Sequence, residues 1–293
     1  MKKFHGTGVA LVTPFKADRS VDFEGLKNLI NYMVDGKVEY LVSLGTTGEA
    51  STLNKDEKKK IWEFTAEIND GRLPLVAGIG GNDTASVIND IKTFEANGYS
   101  AVLSASPYYN KPTQEGIYQH YKAISEASSM DLLLYNVPGR TASNVSPDTT
   151  CRLASEFKNI IGTKEASGNF DQFNQIMRDK PEDFLLISGD DPVALPMISL
   201  GAAGVISVVG NALPLQLSEM IRLCLMGDYS AALPLHLNLI EFTRLIFAEG
   251  NPAGVKAALR HFGICEDHLR LPLVPVSETL RHAIITESKR ITA

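Results

Sequence analysis

Short apolar runs recur along this chain about every thirty residues, each followed by a longer stretch with a helical repeat of apolar positions. The runs fall at 7–13 (TGVALVT), 38–44 (VEYLVSL), 74–79 (PLVAGI), 101–105 (AVLSA), 131–136 (DLLLYN), 160–164 (IIGTK), 184–188 (FLLIS) and 204–208 (GVISV). They are continuous rather than alternating, as in strands covered on both faces in a parallel sheet. Strand followed by helix, repeated eight times, predicts an α/β fold of the (β/α)8 TIM barrel type. An open doubly wound sheet would need a glycine-rich phosphate turn after its first strand, and Val12-Thr13-Pro14 is not one.

Helix-start signals fit the same layout. Asn54 with Glu57 three residues on predicts a capping box. Ser146-Pro147 and Asp191-Pro192 each read as an N-cap followed by proline at the first helical position. After about residue 212 the pattern turns helical and stays so, through 214–229, 230–247, 251–264 and a last segment from about 277. That is more helix than an eighth barrel unit needs. The expected organisation is a catalytic barrel over 1–224 and a C-terminal helical appendage over 225–293.

Composition narrows the function classes. A net charge of -6 and a pI near 5.6 argue against a nucleic-acid partner, which needs a basic surface. Cys151, Cys224 and Cys265 are widely spaced and odd in number, so neither a disulfide framework nor a zinc spacing follows, and a reducing cytoplasm is the expected location. The N-terminal apolar run is too short to span a membrane and reads as the first strand. The six histidines lack helical metal-ligand spacing, and Gly78-Ile79-Gly80-Gly81 lacks the lysine of a phosphate loop and reads as a tight turn. No metal or cofactor is expected, and Lys58-Lys59-Lys60 reads as a solvated helix face.

In such a barrel the strand C-terminal ends converge on one mouth. Those ends carry Gly45-Thr46-Thr47-Gly48-Glu49, Pro107-Tyr108-Tyr109-Asn110, Tyr135 through Arg140, Lys164, Ser188-Gly189-Asp190-Asp191, and Ile206 through Asn211. Lys164 is the centre of that set. An ordinary lysine, with pKa near ~10.4, is neutral in about one molecule in a thousand or fewer at pH 7. Burial disfavours the ammonium and frees the amine as a nucleophile. An amine captures the ketone of a keto acid as a Schiff base, and loss of an α-proton then gives an enamine carbon nucleophile. The proton steps need a hydroxyl relay, which Tyr135 with Thr46 supplies. A Gly-Thr-Thr-Gly turn offers N–H and hydroxyl donors for a carboxylate, and Arg140 can grip a second one bidentately. Glu49 reads as structural, and Asp191 as the cap before Pro192. The pair Asp190-Asp191 argues against a phosphate cradle at the seventh strand.

In this order, GTTGE, PYYNKP, YNVPGR and GTKEASGN resemble the dihydrodipicolinate synthase family of the pyruvate-dependent class I aldolase superfamily, which also contains N-acetylneuraminate lyase. The likeness runs over nearly the whole chain, and Arg140 is the feature that points to the synthase branch. The resemblance implies that Lys164 forms the Schiff base with pyruvate. It implies that Tyr135 is the general acid and base, linked through Thr46 to Tyr109 donated by a neighbouring subunit. Thr47 and the backbone at Ile206 would hold the pyruvate carboxylate beside Gly189, and Arg140 would hold L-aspartate-4-semialdehyde. A homotetramer built from tight dimers, with no cofactor, is implied too. Lysine-inhibited bacterial members carry two histidines and a glutamate where this chain has Lys55, Lys58 and Ser86, while Asn82 and Tyr108 remain. Two lysines repel the ammonium of an L-lysine effector, so weak or absent feedback is expected. The alternatives are a sister aldolase acting on sialic acid or a keto-deoxy sugar acid, and a barrel retained as a non-enzymatic binding protein.

Overall fold

The computed structural model describes residues 2–293. Along the chain β1 (Gly6–Ala10) leads to α1 (Phe23–Asp35), β2 (Tyr40–Ser43) to α2 (Lys55–Asn69), β3 (Leu75–Gly78) to α3 (Thr84–Thr93), and β4 (Tyr99–Ala105) to α4 (Gln114–Ala127). β5 (Asp131–Asn136) leads through one helical turn, α5 (Pro138–Thr141), to α6 (Pro147–Glu156). β6 (Ile160–Glu165) leads to α7 (Phe170–Asp179), β7 (Leu185–Ser188) to α8 (Ala194–Ser199), and β8 (Gly204–Ser207) to α9 (Pro214–Leu225). Beyond lie α10 (Tyr229–Phe247), α11 (Ala253–His261) and α12 (Glu278–Thr292). The strands are parallel and close in sequence order, with Gly6–Val9 of β1 paired to Gly204–Ser207 of β8. The expected barrel with its helical appendage is what the chain forms.

Strand alternation divides the apolar residues into two cores. Val42, Val76, Leu103, Leu133, Ile187 and Ile206 pack with one another inside the barrel. Leu41, Leu75, Val102, Leu132, Leu134 and Val205 face the helices. Both sets are buried, which is why the runs read as continuous. The barrel floor is closed by Phe4, whose ring meets the Tyr40 ring edge-on at 5.4 Å, both side chains fully buried. Burying one such aromatic contributes about 2–3 kcal/mol.

The first strand is shorter than the run at 7–13. Its paired residues end at Ala10, and beyond it the Val12 N–H donates to Asn211 Oδ1 at 3.1 Å. The chain peels off there to form the mouth. Glycines at 78–81 serve packing: a Cβ on Gly78 would lie 2.3 Å from the Leu44 carbonyl oxygen, so β3 passes hard against the end of β2.

The capping box opening α2 is formed, Glu57 N–H donating to Asn54 Oδ1 at 2.9 Å and Asn54 N–H to Glu57 Oε2 at 3.0 Å. Ser146 caps α6, with Pro147 at the first helical position. Asp191 corrects the sequence expectation, because its carboxylate does not cap its own turn. It is buried and turned toward β8, accepting from Ser207 Oγ and from the N–H groups of Val208 and Val209 at 3.0 and 3.1 Å. Three donors across the mouth outcompete the single orphan N–H of a short turn.

α9 packs on β1 and on α10, and α10 and α11 both pack on α12. Cys151, Cys224 and Cys265 are free and buried. No helix among the described residues is long and apolar enough to cross a membrane.

Candidate active site

Lys164 lies one residue from the C-terminal end of β6 and is 5% exposed. The β5–β6 register sets Tyr135 directly beside it, and the Lys164 Nζ stands 4.4 Å from the centroid of the Tyr135 ring. On the opposite flank Gly189 follows β7. A Cβ there would meet Lys164 Cγ at 3.1 Å and Ala166 Cβ at 2.7 Å, so only glycine leaves room for the lysine stem. Ile206, on β8, is fully buried inside the barrel.

The neighbouring residue points the other way. Glu165 is buried and accepts from Asn136 Nδ2 at 3.0 and 3.1 Å, Gln172 Nε2 at 2.9 Å and the Ser167 N–H at 2.8 Å. Burial pushes its carboxyl up, against the pull of those donors. Asn136 also donates to Asn144 Oδ1 at 2.9 Å and accepts from the Val145 N–H at 2.9 Å. It thereby clamps both ends of the loop that carries Arg140. The Arg140 side chain itself is exposed, with no ion-pair or hydrogen-bond partner among the described residues.

The Gly-Thr-Thr-Gly segment forms one tight helical turn between left-handed Leu44 and Glu49, at φ 58° and 52°. Thr47 is buried and its Oγ1 lies 3.0 Å from Asn251 Nδ2, while Thr46 is exposed. Two residues further, Glu49 forms an ion pair with Lys256 of α11 at 2.5 Å, both side chains 0% exposed. Burial pulls the Lys256 ammonium below the usual lysine range, and Glu49 opposes that pull.

A cavity of about 270 Å³ opens beside this turn. Thr46 and Tyr135 both line it, together with Tyr108, Lys58, Trp62 and Asp90. Lys164 and Arg140 are not among the residues that line it. Tyr109 follows Tyr108 in a left-handed conformation, φ 76°, and is 88% exposed. Asp190 is half-buried at the end of β7, where burial raises its carboxyl against the attraction of Lys164.

Of the residues expected at the mouth, Lys164, Tyr135 and Gly189 come together directly. Thr46 joins Tyr135 through the cavity. Arg140 and Tyr109 reach into open space from one chain. Sequence reasoning missed Asn251 and Lys256, which approach from the appendage across 204 and 207 residues of chain with no local pattern to announce them.

Comparison with known proteins follows the same lines. The profile of the Dihydrodipicolinate synthetase family matches residues 3–290. A Flavobacterium psychrophilum protein named 4-hydroxy-tetrahydrodipicolinate synthase is 53% identical over 292 residues, covering 100% of both chains. The crystal structure of dihydrodipicolinate synthase from Thermotoga maritima superimposes with a TM-score of 0.96 at 41% identity, covering 99% of each chain. The Acinetobacter baumannii dihydrodipicolinate synthase, described as chloride inhibited and complexed with pyruvate, matches with a TM-score of 0.95 at 38% identity, over 98% of this chain and 99% of that one.

Proposed function

This chain belongs to the dihydrodipicolinate synthetase family, and from that premise we propose how its mouth condenses pyruvate with L-aspartate-4-semialdehyde in lysine and diaminopimelate synthesis. The activity is that of a 4-hydroxy-tetrahydrodipicolinate synthase, a Schiff-base-forming lyase. The observation that carries the mechanism is the buried Lys164 amine facing the Tyr135 ring inside the barrel.

In this reading Lys164 Nζ attacks C2 of pyruvate, and loss of water leaves an imine. Thr47 and the backbone at Ile206 hold the carboxylate, with Gly189 giving the lysine stem its room. Tyr135 takes a proton from C3 and passes it outward through Thr46. The resulting enamine carbon attacks the aldehyde of the semialdehyde, whose carboxylate Arg140 holds at the rim. The substrate amino group then adds to the imine carbon, closing the ring and releasing Lys164 as a free amine. General acid–base assistance of this kind contributes about 10²–10⁴-fold.

Tyr109 completes the relay from a second copy of the chain. Its exposure supports that placement, and so do Leu233, Leu237 and Ile240, an apolar stripe left on the surface of α10 that a tetramer can cover. The cytoplasm is the compartment we assign. Borohydride added with pyruvate should leave a three-carbon label on Lys164, read by mass spectrometry. An aldehyde panel of aspartate semialdehyde, N-acetylmannosamine and glyceraldehyde should show turnover with the first alone. An unlabelled Lys164, or preference for a sugar aldehyde, overturns the reading.

A further inference from the structure

The carboxylate-binding turn is held by a segment outside the barrel. Asn251 sits in the loop between α10 and α11, is 7% exposed, and places its Nδ2 3.0 Å from Thr47 Oγ1. Its Oδ1 is buried with no hydrogen-bond partner among the described residues. The amide is therefore fastened on one side only, by Thr47. Five residues along, Lys256 grips Glu49, two residues beyond Thr47, and the Arg270 N–H donates to the other Glu49 oxygen at 3.1 Å. These contacts bracket the turn and keep Asn251 within reach of it.

We propose that Asn251 is a positioning residue for the keto-acid carboxylate, setting the direction of the Thr47 hydroxyl; this rests on the functional reading above. A hydroxyl has one proton to give. With the amide N–H donating into Thr47 Oγ1, the Thr47 O–H is left to donate to an anion in the mouth. The opposite amide orientation draws that proton toward Asn251 Oδ1 and turns a lone pair on the anion. A bound carboxylate therefore selects the first orientation, and the chain amide N–H to hydroxyl to carboxylate is polarised in one direction. The role is specific to the carboxylate-bearing ketone, so the second substrate should not sense it.

The test is the pyruvate concentration that gives half-maximal borohydride trapping at Lys164, with steady-state kinetics alongside. Asn251→Ala should raise both that concentration and the pyruvate KM about tenfold, the worth of one oriented charge-assisted hydrogen bond. Asn251→Asp keeps the shape but accepts the Thr47 proton and adds a negative charge, so it should raise them further. Neither should move the semialdehyde KM, or lower kcat, by more than about threefold. In a Thr47→Val background Asn251→Ala should have no additional effect, because its target is gone. If the alanine variant fails to fold, the isosteric aspartate variant carries the test. Unchanged pyruvate dependence in these variants, or an equal effect in the Thr47→Val background, overturns the proposal. Wild-type protein that pyruvate does not label at all would instead sink the functional reading beneath it.

Discussion

Replacing Lys256 by methionine tests whether the appendage and the mouth are one cooperative unit. Lys256 Nζ lies 2.5 Å from Glu49 Oε1, donates to the His268 carbonyl at 2.9 Å, and stands 4.4 Å from the Phe15 ring centroid. Methionine keeps most of the volume and removes the charge. Glu49 is then left 0% exposed, with the Arg270 N–H as its remaining donor. Stranding one partner of a buried pair costs about 3–5 kcal/mol. Unfolding entropy of ~2.1 cal/mol/K per residue gives about 0.6 kcal/mol/K for 293 residues, so the melting temperature should fall by about 5–8 °C. Calorimetry reads that shift. Adding Glu49→Gln to the variant removes the stranded charge and should recover at least half of the loss. A single variant melting within about 2 °C of wild type, or a double variant losing the sum of the two singles, refutes the reasoning.

Four further outcomes follow from the geometry. Burial pushes the His120 imidazole down to about 4, from an ordinary value near 6.5. The stability this contributes is complete above pH 6.5 and is lost as pH falls through 4, about 3 kcal/mol in all; the stability gap between wild type and His120→Gln should therefore narrow with acid, and a constant gap contradicts this. Tyr135→Phe should cut kcat by about 10²–10⁴-fold while leaving the Lys164 label attainable at long times; full turnover removes Tyr135 from the relay. Arg140→Ala should raise the semialdehyde KM by about 10–100-fold and leave pyruvate trapping unchanged, and the reverse pattern would move Arg140 to the other substrate. L-Lysine should inhibit weakly or not at all: Lys55 is paired with Asp90 at 3.2 Å, Lys58 lines the cavity, and Ser86 is bonded to Asp83 at 2.5 Å. Strong inhibition below millimolar effector would refute that reading of the pocket.

Periodic signals survived folding well. The strands were legible because both faces of each are buried, and Lys164 with Tyr135 because adjacent strand ends must meet at one mouth. Local capping chemistry was legible at Asn54 and Ser146 for the same reason, since donor and acceptor are three residues apart. It failed at Asp191, where a capping residue and a tertiary acceptor look identical in sequence, and the backbone of β8 won. Asn251 and Lys256 were invisible: a lone polar residue before a proline and a lysine on a helix acquire meaning only when α11 is folded against the turn. The end of the first strand was overrun because Leu11 and Val12 stay buried after leaving the sheet.

The stopper at the bottom of the barrel, Phe4 against Tyr40, joins the packed apolar core in sealing the end of the barrel away from Lys164. The proposed mechanism therefore brings both substrates to Lys164 from the opposite end, where the strand C-termini lie. On the mechanism proposed above traffic becomes a queue: the small ketone has to be tethered before the larger aldehyde takes its place, and the cyclised product has to clear before the next ketone is admitted.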